Sequence, residues 1–402
     1  VHFPVVRRSP ELSANHSAIA LMAVQQEVDR SPMSTSGHHV ERKSALESSR
    51  NERWLLIGAV VLLFGLLFLL LMGVNMRRGL NHDEHQFVAS AALLYRDALL
   101  PYADFAYFHV PGLSLIYAII DQVDDSLLLG ARLFSIYCAW MTLGLIFLAA
   151  YRRSQAARLR LRLIFATLAA GWMAALPLFI YTSGRAWNHD LPILLLILAF
   201  FIHSDVKVER RSPDWLGASG LLMGLASTAR LSFALVAIAF LLVLWLYPIF
   251  KGKERWVGAS IFIVGALLGA LPSIALFVID PPAFLFGNLE YIRLNTEYYQ
   301  QSGATVAMTL PSKVTFLARL FIAQPGSLIA LIVLIVGSWP LWSTVRRRLS
   351  TLRTSETDHD KYESLYRYAF VLLLLGFSMV GAFAATPSQP QYFYVLFPVI
   401  IL

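Results

Sequence analysis

Ten apolar stretches, separated by polar segments, divide most of the chain. A helix of roughly 17–25 apolar residues can cross a bilayer, and most of the stretches approach or reach that length. They cover residues 54–74, 126–150, 163–182, 190–204, 215–229, 231–250, 256–279, 324–343, 368–385 and 391–402. The chain is 57% hydrophobic and only 14% charged, whereas soluble domains carry roughly 25% charged residues. The pattern therefore predicts an all-α, polytopic transmembrane helix bundle.

Lysine and arginine residues concentrate in every second loop. Basic clusters precede the first stretch and follow the second, fourth, sixth and eighth. Cytoplasmic loops of membrane proteins carry such an excess, so the chain is predicted to have ten alternating spans and a cytoplasmic N-terminus. Arg77 and Arg78 break the alternation, which suggests a local role on the outer side. The net charge of +8 then reflects orientation and gives no reason to expect nucleic acid as a partner.

The two ends of the chain differ in composition. Residues 1–53 are mostly polar, mixed in charge and without hydrophobic period, which predicts a disordered cytoplasmic segment. One transmembrane domain is expected over residues 54–402. Because the chain ends inside an apolar stretch, we expect it to be truncated at the C-terminus. Its only cysteine, Cys138, excludes an intramolecular disulfide and a cysteine-rich metal site.

The first predicted outer loop, residues 75–125, is too long for a simple connection. Apolar residues recur at helical spacing over residues 83–100, in a segment too polar to span. Residues 112–123 are apolar but too few to cross a bilayer. We therefore expect two juxtamembrane helices that lie in the membrane interface. The aromatic residues 101–111 would form an extended connector between them.

Two adjacent carboxylates, Asp83 and Glu84, open the first of these helices. Charge at membrane depth is costly enough that it usually marks a site. The alternative is a solvated loop or a helix N-terminus, where acidic residues are favourable. A carboxylate at this position could act as a general base that takes a proton from a hydroxyl group.

Further polar side chains lie in the predicted outer loops. Arg185 and Arg230 are placed to bind a phosphate group, although arginines at span ends also extend towards lipid headgroups. His189 and Asp190 belong either to a site or to the N-terminus of the fourth span. Aromatic and histidine residues of the first loop fit a sugar site, an interfacial aromatic belt or structural roles. The candidates among them are His85, Tyr107 and His109.

The order of these features resembles the GT-C superfamily of membrane glycosyltransferases. The likeness is greatest to family 39, which includes the protein O-mannosyltransferases, and to the bacterial lipid A aminoarabinose transferases. The residues that carry it are Asp83-Glu84-His85-Gln86-Phe87, Pro101-Tyr102-Ala103-Asp104 and Tyr107-Phe108-His109-Val110-Pro111, with weaker likeness in 185–190, 284–299 and 391–394.

This resemblance implies transfer of a sugar from a polyprenyl-phosphate donor to an acceptor on the outer face of a bacterial cytoplasmic membrane. Asp83 matches the family's catalytic base, and Glu84 matches its neighbour, with a role in orientation or metal contact. A divalent metal ion stays open, as does the acceptor, which would be a lipid, a glycan or a protein. The substrate-binding candidates are then His85, Tyr107, His109, Arg185, His189, Asp190 and Arg230.

A transporter or flippase of a lipid-linked substrate is the alternative function. Such a protein is expected to carry ionisable residues in the middle of its spans, and inverted repeats with broken helices. In this chain the charges cluster at span ends, and no internal repeat is evident. The pattern therefore favours the enzyme.

Overall fold

The computed structural model describes residues 35–204, 214–246, 252–303, 308–350 and 359–401. These residues form helices and loops, and contain one isolated β-bridge but no strand. The helices are α1 (Thr35–Met76), α2 (His82–Arg96), α3 (Gly112–Asp121), α4 (Leu127–Arg153), α5 (Leu159–Ala175), α6 (Pro177–Thr182), α7 (Asp190–Ser204), α8 (Asp214–Ala229), α9 (Phe233–Leu246), α10 (Lys253–Gly269), α11 (Leu271–Ile279), α12 (Pro281–Leu285), a π-helix (Phe286–Glu290), α13 (Tyr291–Gln301), α14 (Leu310–Ile322), α15 (Pro325–Ser350), α16 (His359–Ala384), a 3-10 helix (Pro390–Phe393) and α17 (Leu396–Ile401). The predicted all-α class is confirmed.

The chain divides into two units, Val1–Val61 and Leu62–Leu402. In the first unit, α1 takes in residues 35–53, which the composition predicts to be disordered. Residues 1–34 of that segment lie outside the described part of the chain. In the second unit, the main hydrophobic core lies between α4, α7, α8, α9, α16 and the C-terminal helices.

All ten apolar stretches fall on helices where they are described. By length and composition, four of the described helices can cross a membrane, or five if a bent pair counts as one span. The pair is α14 with the first part of α15, and the two helices meet at 101°. Other stretches form shorter apolar helices, such as α7 and α9. The chain is thus a multi-pass membrane protein, and the total of ten spans stays a prediction.

Helices α8 and α10 approach closely because both present small residues to each other. An added Cβ at Gly220 or Gly224 would lie 2.1 Å from a carbonyl oxygen of α10. The same holds in reverse for Gly265, which faces α8 at 2.1 Å. Small residues spaced by four permit such backbone contact in membrane bundles. Since α8 leads directly into Arg230, this packing fixes where that side chain leaves the bundle.

The first outer loop folds into the two predicted helices, α2 and α3. Phe87 and Ala91 of α2 pack against Leu113 and Tyr117 of α3, and all four are buried. Helix α2 ends at Arg96, earlier than predicted, because the backbone turns at Ala98 with a φ of 54°. The two segments are separate short helices, not a transmembrane hairpin.

The aromatic connector between α2 and α3 packs on the segment that follows α11. Phe108 stacks on Tyr291 with ring centroids 4.0 Å apart. Tyr102 lies 4.9 Å from Phe284, and its hydroxyl accepts a hydrogen bond of 3.2 Å from Asn288. The rings of Phe108 and Tyr102 therefore join two predicted outer loops through Tyr291 and Phe284.

Candidate functional site

The acidic pair lies at the N-terminus of α2, within a capping box. The side chain of Asn81 accepts a hydrogen bond from the backbone N–H of Asp83 at 2.9 Å. In return, Glu84 Oε2 accepts from the backbone N–H of Asn81 at 2.9 Å. An Asn followed three residues later by Glu is the sequence signature of this cap. Asp83 is left half-buried in the first turn.

Glu84 is fully buried, and both of its oxygens are bound by donors. Arg132 donates from Nε to Oε1 at 2.8 Å and from Nη2 to Oε2 at 2.6 Å. The backbone N–H of Ala186 adds a bond of 2.9 Å to Oε1, and Asn81 binds Oε2. A carboxylate accepts about four hydrogen bonds, so its capacity is filled. These contacts fix the orientation of the Glu84 carboxylate, and its role at the site stays a prediction.

The charge state of Glu84 follows from the same contacts. Burial alone would raise the pKa of its carboxyl group, because the charged form loses hydration. The hydrogen bonds from Arg132, Asn81 and Ala186 outweigh burial and lower the pKa below its ordinary value. Glu84 is therefore an ionised partner of Arg132 at neutral pH.

Arg132 was not among the residues that the sequence singled out. It lies near the start of α4, inside an apolar stretch, and its side chain is 3% exposed. It also donates to the carbonyl oxygens of Asn75, Arg78 and Gly79, at 3.2, 2.8 and 3.0 Å. An arginine within an apolar stretch needs a partner, and this was the signal that could have found it.

The loop before α7 is held by Asp190 and Arg78. Asp190 is buried and accepts from the backbone N–H of Gly184 at 2.8 Å and from the hydroxyl of Tyr394 at 3.3 Å. Arg78 donates to Asn75 Oδ1 at 2.8 Å and also binds carbonyl oxygens at the end of α6. Arg78 thus links the end of α1 to the end of α6, and Asp190 ties this loop to the C-terminal segment.

Arg230, His189 and Tyr392 form the polar group that we call the Arg230 cleft. One N–H of Arg230 bonds His189 Nδ1, and the guanidinium lies 5.1 Å from the ring centre of Tyr392. Arg230 also donates to the hydroxyl of Ser232 at 3.3 Å. The three side chains line one cavity. They come from the loop before α7, the α8–α9 turn and the C-terminal 3-10 helix.

Asp83 and His109, from the first outer loop, interact electrostatically with members of this group. The negative charge of Asp83 acts on the hydroxyl of Tyr392. Burial and the charge of Arg230 lower the pKa of His109 to about 4. Burial, Arg230 and His109 together lower the pKa of His189 well below its ordinary value. Both histidines are therefore neutral at pH 7, so His189 can accept a hydrogen bond from Arg230.

His109 and Tyr107 are also held by contacts within the first outer loop. His109 Nε2 bonds Gln86 Oε1 at 2.8 Å, and its ring stacks on Phe87 at 4.8 Å. The Tyr107 hydroxyl bonds Ser114 at 2.5 Å, and burial raises its pKa to about 12. Tyr107 is thus a buried packing residue, whereas His109 also interacts electrostatically with Arg230.

Two predicted site residues lie elsewhere. His85 is exposed on another face of α2, in a separate groove with Val88 and Arg96. Arg185 bonds the carbonyl oxygen of Tyr181 at 3.0 Å and packs over the ring of Trp187 at 4.9 Å. The roles of His85 and Arg185 in substrate binding therefore stay predictions.

Metal-ligating side chains are not clustered in the part of the chain that the structure describes. No group of three or more His, Cys, Asp or Glu side chains there could hold a metal ion.

Comparison with known proteins was informative at the level of fold. No protein-family model matches the sequence, and no curated protein matches it. The crystal structure of ArnT from Cupriavidus metallidurans bound to undecaprenyl phosphate is similar, with a TM-score of 0.56 and 14% identity. That alignment covers 85% of this chain and 59% of ArnT. The apo structure of the same protein gives a TM-score of 0.55 and 15% identity, over 85% and 58%.

The chain thus spans about three fifths of the length of ArnT. The likeness extends over most of this chain. This likeness shows that the chain shares the membrane-helix fold of the ArnT structures.

Proposed function

We propose that this protein is a membrane glycosyltransferase that moves a sugar from a polyprenyl-phosphate donor to an acceptor hydroxyl. The observation that carries the proposal is that Asp83 interacts electrostatically with Tyr392, whose ring lies 5.1 Å from the guanidinium of Arg230. A carboxylate and a guanidinium from separate segments therefore share Tyr392 as a neighbour. The fold supports the same function, since the similar ArnT structure has undecaprenyl phosphate bound.

Asp83 is the base in this proposal. As the acceptor oxygen attacks the anomeric carbon, its proton passes to the Asp83 carboxylate. The bond between the anomeric carbon and the phosphate oxygen breaks, and polyprenyl phosphate leaves with the electron pair. A hydroxyl group is a poor nucleophile until a base takes its proton in the transition state. The negative carboxylate also offsets positive charge that develops on the sugar ring.

Arg230 binds the donor phosphate in this proposal. A guanidinium has five N–H donors in a planar fork, and contacts with His189 and Ser232 leave others for phosphate oxygens. Because His189 is neutral, it orients Arg230 without neutralising it. A fixed cation near the leaving phosphate stabilises the charge that develops there.

The finer assignment follows the sequence resemblance. We place the reaction on the outer face of a bacterial cytoplasmic membrane, with the N-terminus in the cytoplasm. The family 39 and aminoarabinose transferase types are the proposed relatives. A membrane lipid, a glycan or a protein would supply the acceptor hydroxyl.

The first test is chemical identification of the donor. The chain would be purified in nanodiscs, and its lipids extracted and analysed by mass spectrometry. We expect a polyprenyl phosphate sugar. The purified donor would then be mixed with the protein and a cell-envelope acceptor fraction, and single-turnover transfer measured. Donor that crosses between leaflets without being consumed would instead support the flippase.

The second test concerns the base. Asp83→Asn keeps the size of the side chain but removes its basicity, so we expect transfer to fall by about 10²–10⁴. Donor affinity should be retained. Asp97→Asn, at the exposed C-terminal end of the same helix, is the matched control and should transfer normally. Normal transfer by both Asp83→Asn and Glu84→Gln would refute a catalytic role for the pair. An active Asp83→Asn with an inactive Glu84→Gln would move the base to Glu84.

A further inference from the structure

The ion pair between Glu84 and Arg132 joins four separate segments of the chain. Arg132 belongs to α4, and it binds the carbonyl oxygens of Asn75 and Gly79 at the end of α1. Glu84 belongs to the first turn of α2, and it binds the backbone N–H of Ala186 before α7. One pair of side chains therefore determines how the start of α2 lies against three neighbouring segments.

Two members of the candidate site are attached directly to this network. Asp83 precedes Glu84 in the first turn of α2. His189 follows Ala186 by three residues, in the loop that Asp190 closes. A shift of the Glu84 carboxylate would therefore move Asp83 relative to His189. Arg230 is less dependent on the pair, because the packing of α8 on α10 holds it.

We propose that Arg132 is a positioning residue for sugar transfer, which acts through Glu84 to set the place of Asp83 beside the Arg230 cleft. The inference rests on the proposed function. Its basis is the geometry of the pair, in which two N–H groups of one arginine meet two oxygens of one carboxylate. Such a fork fixes orientation as well as distance. Lysine, with a single ammonium group, cannot reproduce it.

Stability alone gives a weak reason for this pair. Taking two charges out of water is costly, and an apolar pair of similar volume often stabilises a protein as well or better. An arginine inside an apolar stretch is more costly still. The position of the pair, adjacent to Asp83, accounts for it as a means of orientation.

Arg132→Lys is the direct test. The variant keeps the positive charge and loses the fork, so Asp83 should move by a fraction of an ångström or more. A misplacement of about 1 Å can lower a rate by about 10²-fold, and we expect single-turnover transfer to fall by about 10–100-fold. The Kd for undecaprenyl phosphate, measured by titration in nanodiscs, should stay within about twofold of wild type, since Arg230 is held elsewhere.

The chain contains a matched control. Arg96 forms the same fork with Asp121, at 2.8 and 2.6 Å, at the other end of α2. Arg96→Lys makes the same chemical change far from Asp83, so transfer and Kd should both match wild type. Glu84→Asp is the second variant, which keeps the charge and withdraws the carboxylate by one carbon. It tests the same geometry if Arg132→Lys does not fold.

A double variant sharpens the result. If Glu84 and Arg132 act through one geometry, Glu84→Asp with Arg132→Lys should transfer no more slowly than the worse single variant. Multiplying losses would overturn the inference. So would normal transfer by Arg132→Lys, or a loss in which rate, Kd and thermal stability fall together.

An inactive Asp83→Asn beside an active Arg132→Lys would leave the proposed function standing and sink only this inference. An active Asp83→Asn would sink this inference together with the assignment of Asp83 as the base.

Discussion

The two ends of α2 carry the same kinds of side chain in different surroundings. Each end has an arginine that forms a fork with a carboxylate, and each has a further aspartate beside it. At the N-terminal end, the Arg132 and Glu84 side chains are 3% and 0% exposed. At the C-terminal end, Arg96 is 49% exposed while Asp121 is buried. The difference therefore lies in the arginine, which is enclosed at one end and solvated at the other.

The difference in arginine exposure distinguishes the candidate site at the N-terminal end of α2 from the exposed surface at its C-terminal end. At the N-terminal end, segments from four parts of the chain converge, and Asp83 interacts electrostatically with Tyr392 of the Arg230 cleft. At the C-terminal end, Asp97 is exposed and serves as the C-cap of the helix. Residue type alone does not distinguish the two ends. Burial and the convergence of distant segments do.

The first prediction concerns the topology, and it has the largest expected effect. Both ends of α2 should lie on the outer side of the membrane. Asp97→Cys should react with a membrane-impermeant maleimide in intact cells, whereas Ser154→Cys, after α4, should not. The native Cys138 is buried and gives a low background. Efficient labelling at position 154 with none at position 97 would reverse the topology and place Asp83 in the cytoplasm.

The second prediction contrasts the stability that each pair contributes. Glu84→Ala leaves Arg132 buried without its carboxylate, and breaking a buried pair in this way costs about 3–5 kcal/mol. Asp121→Ala leaves Arg96 in solvent, so the midpoint of unfolding should change far less. Denaturant titration of both variants in the same detergent provides the measurement. Equal losses would show that the exposure of the arginine does not decide the effect.

Much of the fold could be predicted because its signals are local. The apolar stretches indicate where the helices form. The helical spacing of apolar residues after Asp83 predicts α2. The two short helices of the first loop followed from length and polarity alone. The apolar spacing predicts an end of α2 that lies beyond the observed one, since nothing in that spacing marks the turn at Ala98.

The contacts that make the site could not be predicted, because they join distant parts of the chain. Arg132 and Glu84 are 48 positions apart, and Glu84 and Ala186 are 102 apart. Lys313 illustrates the same limit, since it is buried against the carbonyl oxygens of Phe383 and Ala385 at the end of α16. The sequence identified charged residues near the outer side, but not which of them meet.

The third prediction concerns the cation of the Arg230 cleft. Arg230→Ala should weaken undecaprenyl phosphate binding by about 10–100-fold, as a hydrogen bond to a charged group contributes about 1.5–3 kcal/mol. Arg230→Lys should lose less, because it keeps the charge. Arg96→Ala is the control, since Arg96 pairs with Asp121 at the other end of α2. If Arg230→Ala lowers only thermal stability and leaves Kd unchanged, Arg230 anchors the protein to headgroups.

The smallest expected effect is a pH dependence at His109. Burial, and then the charge of Arg230, lower the pKa of this side chain to about 4 in the folded protein, against about 6.5 in an unfolded chain. Between these values the unfolded chain binds a proton that the folded protein does not, so stability should fall as the pH falls from about 6.5 to 4.

His109→Gln removes this titration and can still donate to Gln86. Its unfolding midpoint should therefore decline less steeply than that of wild type over the same pH range. His189 contributes in the same direction, so the variant should flatten the decline only in part. Superimposable pH profiles would show that His109 is not buried as a neutral group beside Arg230.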